Sequence, residues 1–474
     1  VARIAITAVL ARIILPLDYG LIVEASVLLA FLTVGAELGL GQALVQRREL
    51  EPEHESTALW LTSASGVVCG LVLMAVAESW SAFRGMPALK APISVLALTL
   101  ILRTPSSVPR LLLMRDLRMK EVSVYQFIGF IAQSVTSIVL GFARYGALAL
   151  AWGAVVGALF ELASSFFLRP IRRPFTFRRS RARELMKFGN GLTFARLANN
   201  VALQGDNLVV GISLGPVALG LYNRAYSVLA LPAGLLQSID GALFPALARL
   251  QDDTEQLRSA FRSGILFTAA LVVPTSAFVT VLAPEIVGCL MGPNWRGAIV
   301  PLQILGPSMF FRTVYKIAST TIRAKGAVNL LAVTQVTYAL CVVLGAVIGC
   351  RWGLSGAALG VAIAVFLQYL FLLSLAARLL GEPILTALLP SPKPWLLGGL
   401  LAVVAWGVAH LTRVAGLPQL GRLLAAGLAS LVLLALARWV APKQLLGAEV
   451  VKALDAAWHG TKNRFRPSKT RQPF

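Results

Sequence analysis

Leu192–Ala225 reads LTFARLANNVALQGDNLVVGISLGPVALGLYNRA. The run is long and apolar enough to enter a bilayer, yet it carries Arg196, Asn199, Asn200, Gln204, Asp206 and Asn207. Ionisable groups at that depth are costly and usually face a wet cavity or one another, so they mark function. Arg196, Asn200, Gln204 and Asn207 recur at i, i+4, i+8 and i+11, which places them on one helical face. Asn199 and Asp206, seven apart, form the adjoining strip. Such a face either packs helices through interhelical hydrogen bonds or forms the wall of an aqueous cavity. The arginine favours the cavity.

The rest of the chain agrees with a membrane setting. Of its 474 residues, 57% are hydrophobic and only 14% charged. Long uncharged runs recur throughout, which identifies an all-α polytopic membrane protein. The net charge of +22 would suggest nucleic acid in a soluble protein. Here the cations sit mainly in loops between apolar runs, so no nucleic-acid partner is expected. The four cysteines and three histidines form no metal or disulfide pattern. The chain opens at Val1, already inside an apolar run, so its first helix is expected to be truncated.

About fourteen transmembrane helices are expected, over 1–15, 20–45, 56–78, 91–113, 122–143, 146–168, 185–213, 217–248, 263–284, 298–322, 327–349, 354–377, 395–412 and 420–438. Loop charge tests this count. One alternating set of loops, with the tail from Arg438, holds 28 Lys and Arg; the other set holds 7. By the positive-inside rule both termini are cytoplasmic. The eight remaining bases fall within spans: Arg3, Arg12, Arg103, Arg110, Arg196, Arg224, Arg312 and Lys316. Arg3 and Arg110 are expected near the cytoplasmic face, snorkelling to water.

Internal repetition organises these spans. Pro16-x-x-x-Gly20-Leu21-x-x-x-Ala25 recurs as Pro216-x-x-x-Gly220-Leu221-x-x-x-Ala225. Arg144-Tyr145-Gly146 with Gly153 recurs as Arg351-Trp352-Gly353 with Gly360. Two parallel six-helix repeats follow, plus two C-terminal helices, with a site expected between the repeats. The expected divisions are an N-lobe over 1–168, a basic cytoplasmic linker over 169–184, a C-lobe over 185–377, helices 13 and 14 over 378–440, and a cytoplasmic tail over 441–474 that holds an interfacial helix and a disordered end. The linker is read as topogenic, the alternative being a contact with lipid head groups.

The span cations Arg12, Arg103, Arg196, Arg224, Arg312 and Lys316 are the candidate substrate site. Guanidinium groups around a cavity suit phosphate or pyrophosphate, which they bind through paired hydrogen bonds. Any one of them could instead pair with Glu24, Glu37 or Asp240. Asn199, Asn200, Gln204 and Asn207 are the candidate polar lining. Asp206, Glu24 and Glu37 are candidates for a coupling ion, proton or sodium, and Asp206 could equally be the partner of Arg196 or Arg224. No phosphate-binding loop and no Ser/His/Asp or Cys/His arrangement occurs, so neither ATP use nor enzyme chemistry is expected.

LARIILPLDYGLI (10–22), AELGLGQALVQRREL (36–50), LQGDNLVVGISLGPVALGLYNRAYSVLALP (203–232), ALFPALARLQDD (242–253) and LMGPNWRGAIVPLQIL (290–305) resemble the Wzx-type polysaccharide flippases. These form the polysaccharide-transporter branch of the MOP superfamily, with the lipid II flippases and the MATE drug exporters. The resemblance implies two six-helix lobes in a MATE-like V shape and alternating access around a cationic cavity. It implies an undecaprenyl-pyrophosphate-linked oligosaccharide, moved across a bacterial inner membrane for lipopolysaccharide or exopolysaccharide synthesis. Glycosyltransferases, a polysaccharide polymerase and membrane lipids would be its partners. It implies no catalytic residues, metal or other cofactor. The rival readings are a MATE-like multidrug or small-cation antiporter and a non-transporting scaffold in polysaccharide assembly.

Overall fold

The computed structural model describes residues 2–37, 44, 50–171, 176–249, 253–384 and 391–440. Among them the secondary structure is helical: α1 Ala2–Ile13, α2 Pro16–Ala36, α3 Pro52–Phe83, α4 Lys90–Arg115, α5 Met119–Phe142, α6 Ala147–Leu168, α7 Arg179–Arg249, α8 Thr254–Val281, α9 Ala283–Leu290, α10 Ile299–Leu305, α11 Ser308–Ala324, α12 Val328–Gly349, α13 Gly353–Leu380, α14 Lys393–Val414 and α15 Gln419–Val440. In its described part every expected span falls largely on helix, but 298–322 is divided between α10 and α11 at Gly306 and Pro307, and 263–284 between α8 and α9 at Leu282. Among the described residues, ten helical stretches are long and apolar enough to cross a membrane. The one over Leu330–Leu380 contains two helices, and the one over Arg196–Ala230 is broken once. The chain is a multi-pass, all-α membrane protein.

The helix ends follow from local chemistry. Pro16 and Pro52 open α2 and α3 at positions where a missing N–H costs nothing. Glu51 and His54 form a reciprocal capping box at the start of α3. Asp253 caps α8 by accepting from Gln256 N at 3.0 Å. Inside α7, Gly215 (φ 84°) breaks the helix just before Pro216, which cannot continue the ladder. The second repeated motif also has a backbone cause: Gly146 (φ 55°), just before α6, and Gly353 (φ 73°), the first residue of α13, both turn the chain through left-handed φ at a helix start.

The outer surface is apolar and the contacts between helices are small. On α3, Val67, Val68, Leu71 and Val72 are exposed, while Gly66, Gly70 and Ala77 are buried. This inversion suits lipid outside and close backbone approach inside. Two compact units result. The first is Val1–Arg224 with Leu290–Gly297 and Gln335–Val361. The second is Ala225–Cys289 with Ala298–Thr334 and Ala362–Phe474.

Each unit contains a salt-bridge clasp at the start of a long helix. In the first, Arg169 just after α6 meets Glu55 of α3 at 3.0 Å, Arg178 meets Glu53 at 3.2 Å, and Arg181 meets Glu51 at 2.7 Å. The basic segment read as topogenic is thus also held against an acidic helix start. In the second, Glu382 just after α13 meets Arg262 of α8 at 2.7 Å and Arg258 at 3.4 Å. The two clasps occupy corresponding places in the repeats with opposite polarity.

Candidate functional site

Within the first unit, a small cleft with about 30 Å³ of internal space is lined by Glu37, Leu44, Thr62, Ser107, Val108, Arg110, Leu111 and Arg196. Glu37 is the C-cap of α2. Thr62 comes from α3, Ser107 to Leu111 from α4 and Arg196 from α7. Pro105 and Pro109 lie inside α4 and remove two backbone donors beside the cleft. Glu37 Oε2 lies 3.0 Å from Arg196 Nη1, and Glu37 Oε1 lies 3.9 Å from Arg110 Nη2. The three side chains are 33%, 31% and 37% exposed. Arg110 Nε is nonetheless buried with no hydrogen-bond partner. Two guanidinium groups and one carboxylate leave the cleft one positive charge in excess. The Thr62 hydroxyl donates to Ala58 O at 2.9 Å and that of Ser107 to Thr104 O at 2.6 Å, so both donors are used within their own helices. Leu44 and Val108 make an apolar floor.

The polar face of α7 divides along its length. Arg196 reaches the cleft. Asn199 accepts from Gln335 Nε2 at 3.2 Å. Asn200 Nδ2 is buried without a hydrogen-bond partner. Asn207 Nδ2 donates to Gln204 Oε1 at 3.0 Å. Asp206 is buried and accepts from Tyr222 OH at 3.0 Å and from Asn207 N at 2.9 Å. Since Gly215 lies between Asp206 and Tyr222, this hydrogen bond braces the two halves of the broken helix.

Arg224 is 4% exposed and lies on aromatic faces. Its guanidinium is 3.8 Å from the Tyr19 ring centroid and 5.4 Å from that of Trp295. Trp295 is fully buried and donates to Ala11 O at 2.7 Å. Tyr19 OH donates to Asn223 Oδ1 at 3.3 Å. Such stacking ties α2, α7 and the Leu290–Gly297 segment together. Glu24, 1% exposed, accepts from Arg84 Nε at 2.8 Å and Trp80 Nε1 at 3.0 Å. Arg84 also donates to Ile212 O at 3.0 Å and to Gly211 O, the carbonyls ahead of the Gly215 break. One guanidinium therefore neutralises a buried acid and caps a helix end.

The other candidate cations lie elsewhere. Arg103 meets Glu161 of α6 at 3.4 Å. Arg12 is exposed in the last turn of α1. In the second unit, Arg312 donates to Tyr226 OH at 3.0 Å and its guanidinium is 5.0 Å from that ring centroid. Lys316 is half-buried one turn on, and Thr320 donates to Lys316 O at 2.9 Å while accepting from Arg323 at 3.1 Å. The side chains of Arg3 and Asp240 fall outside those described. Of the residues singled out in the sequence, Arg196 and Glu37 meet in the cleft. Arg110, expected to snorkel, joins them. Arg103 and Arg110 are seven apart on α4 and thus share a face, which is the one trace that could have flagged Arg110. Arg84 gave no such trace.

Known proteins now bear on this geometry. A family profile described as polysaccharide biosynthesis protein matches residues 9–301. The chain belongs to the polysaccharide biosynthesis protein family. It is similar to the lipopolysaccharide biosynthesis protein WzxC of Escherichia coli (strain K12), with 26% identity over 329 residues that cover 68% of this chain and 66% of that one. The match thus spans just under two thirds of that relative. Among solved structures, the fold is similar to the lipid II flippase MurJ in an inward closed conformation, with TM-score 0.70, 14% identity, and 92% and 96% of the two chains covered. It is also similar to a multidrug resistance MATE family transporter of the MOP superfamily in an inward-facing conformation, with TM-score 0.64, 14% identity, and 80% and 94% covered. The fold is therefore one that flippases and drug exporters share, and the family match places this chain on the polysaccharide side.

Proposed function

We propose that this protein is a flippase for undecaprenyl-pyrophosphate-linked oligosaccharides. It would serve lipopolysaccharide or exopolysaccharide synthesis and carry the head group across by alternating access while the prenyl chain stays in lipid. The observation that carries this reading is the Arg110–Glu37–Arg196 cleft. Two guanidinium groups with one carboxylate leave a net positive pocket within apolar helices, which suits the phosphates of such a lipid. Within the first unit Arg12 and Arg103 are proposed to extend the head-group path, while Arg224 is assigned to packing; Arg312 and Lys316 are proposed as head-group contacts of the second unit taken by itself. The protein acts as a transporter and performs no covalent chemistry.

The likeness to WzxC supports placement in a bacterial inner membrane, and the loop charges favour an orientation with both termini cytoplasmic. Glycosyltransferases would supply the substrate on one side and a polymerase would consume it on the other. Reset would draw on a proton, a sodium ion or the membrane potential. Glu37 is the most accessible of the coupling candidates, because Glu24 and Asp206 are buried against fixed partners. A MATE-like exporter of small cations would share the fold, but a net positive cleft repels its substrate. The test is a leaflet-specific assay of lipid-linked oligosaccharide in cells with and without the protein, and with Arg196→Ala. Accumulation in the cytoplasmic leaflet on loss of the protein is expected. Normal surface polysaccharide with either change, at undiminished protein level for the variant, refutes the reading.

A further inference from the structure

Glu37 occupies the place between two guanidinium groups that an anionic ligand would take. Its hold on them is uneven. Oε2 is within hydrogen-bond reach of Arg196 at 3.0 Å, whereas Oε1 stands 3.9 Å from Arg110, an ion pair without a hydrogen bond. Arg110 Nε is buried with no hydrogen-bond partner. A guanidinium carries five N–H donors, so a single carboxylate satisfies only part of what two arginines offer. The rest of the described lining does not complete the set: the Thr62 and Ser107 hydroxyls donate to their own helices and accept from neither guanidinium, and Leu44, Val108 and Leu111 are apolar. All three charged side chains are about one third exposed, so the pairing is screened and weak enough to exchange. Arg103, the next cation along α4, is engaged with Glu161 and outside the cleft lining.

We propose that Glu37 is a resident counter-anion, displaced from Arg110 and Arg196 when a diphosphate head group enters the cleft. In the empty protein the carboxylate offsets repulsion between the two cations. A diphosphate has more acceptor oxygens and more charge, so it can meet both guanidinium groups at once, including the donors that Glu37 leaves unmet. Return of Glu37 then assists release, which keeps the head group from binding too tightly to be passed on. This rests on the flippase reading above.

The test measures binding of geranylgeranyl diphosphate to the full-length protein in detergent, for wild type, Glu37→Gln, Glu37→Ala, Arg110→Ala and Arg196→Ala. Glu37→Ala is the second variant in case the amide of Glu37→Gln disturbs folding, and melting temperature monitors each protein. Both Glu37 variants are expected to bind about three- to tenfold tighter, and both arginine variants to bind at least about tenfold more weakly. Equal or weaker binding by the folded Glu37 variants, with the arginine variants still impaired, overturns the counter-anion role and leaves the site standing. Arginine variants that bind as tightly as wild type overturn both the inference and the proposed site.

Discussion

Gly20 of α2 lies directly against the Pro216 carbonyl of α7, and Gly220 lies in the same way against the Pro16 carbonyl. The two copies of the repeated motif therefore pack on each other, each glycine against the proline that opens the other copy. A Cβ at either glycine would overlap backbone, which cannot yield as a flexible side chain can. Gly20→Ala and Gly220→Ala are expected to cost about 1–3 kcal/mol each, read as a lower melting temperature of the purified protein. Gly35→Ala is the matched control on the same helix, since a Cβ there meets nothing within 4 Å. Equal melting temperatures for Gly20→Ala and Gly35→Ala would show that the contact is looser than described.

The two clasps of opposite polarity give a second prediction. Glu55 and Arg169 are 8% and 18% exposed in their side chains, and Glu382 is 2% exposed. Placing like charges at either clasp leaves a poorly solvated charge facing its own sign. Glu55→Arg and Arg169→Glu should each destabilise the protein by about 2 kcal/mol or more. The double exchange Glu55→Arg with Arg169→Glu should recover much of that loss, because it recreates the Arg–Glu polarity found at Arg262 and Glu382. Thermal unfolding of the three variants decides the matter, and the absence of recovery would mean that Asp116, 3.4 Å from Arg169, dominates the clasp.

These cases also show what a single sequence discloses. The helices were legible because apolar run length and turn residues are local properties. Gly146 and Gly353 announced their turns, and the repeat at Pro16 and Pro216 was visible as a spacing. What the repeat does was not, since nothing in a spacing says that the two copies touch. Arg84 falls outside the expected span 56–78 because about 20 residues suffice to cross a bilayer; α3 runs for 32 residues and ends at Phe83. That extra length carries Trp80 and Arg84 to Glu24. Arg110 was assigned to snorkelling because its partner Glu37 is distant in sequence and adjacent only through the packing of α2 on α4.

Arg196 and Arg224 were indistinguishable as buried-span arginines, and the structure separates them. Arg224 is stacked on Tyr19 and 4% exposed, whereas Arg196 opens to the cleft. Arg224→Ala is therefore expected to lower stability by about 1–2 kcal/mol, and Arg224→Lys to recover little, because an ammonium lacks the planar face that stacks. Arg196→Ala is expected to leave the melting temperature nearly unchanged and to reduce transfer of lipid-linked oligosaccharide. The paired readout is melting temperature against leaflet-specific transport in the same membranes. A stable Arg224→Ala protein without transport would move Arg224 from packing to the head-group path.

Glu24 and Arg84 supply the sharpest energetic test. Glu24 is almost wholly buried, and its hydrogen bonds come from Arg84 and Trp80. Removing Arg84 alone leaves a buried carboxylate without its cation and frees the Gly211 and Ile212 carbonyls, so Arg84→Ala should cost about 3 kcal/mol or more. Glu24→Gln keeps an acceptor for Trp80 and leaves Arg84 its two carbonyls, so about 1 kcal/mol is expected. Once Glu24 is neutral, adding Arg84→Ala no longer strands a charge. The double variant should therefore be more stable than Arg84→Ala alone, a coupling that a double-mutant cycle measures directly. If the double variant is instead the least stable of the three, Arg84 matters as the cap on the broken helix, and the Glu24 charge contributes little.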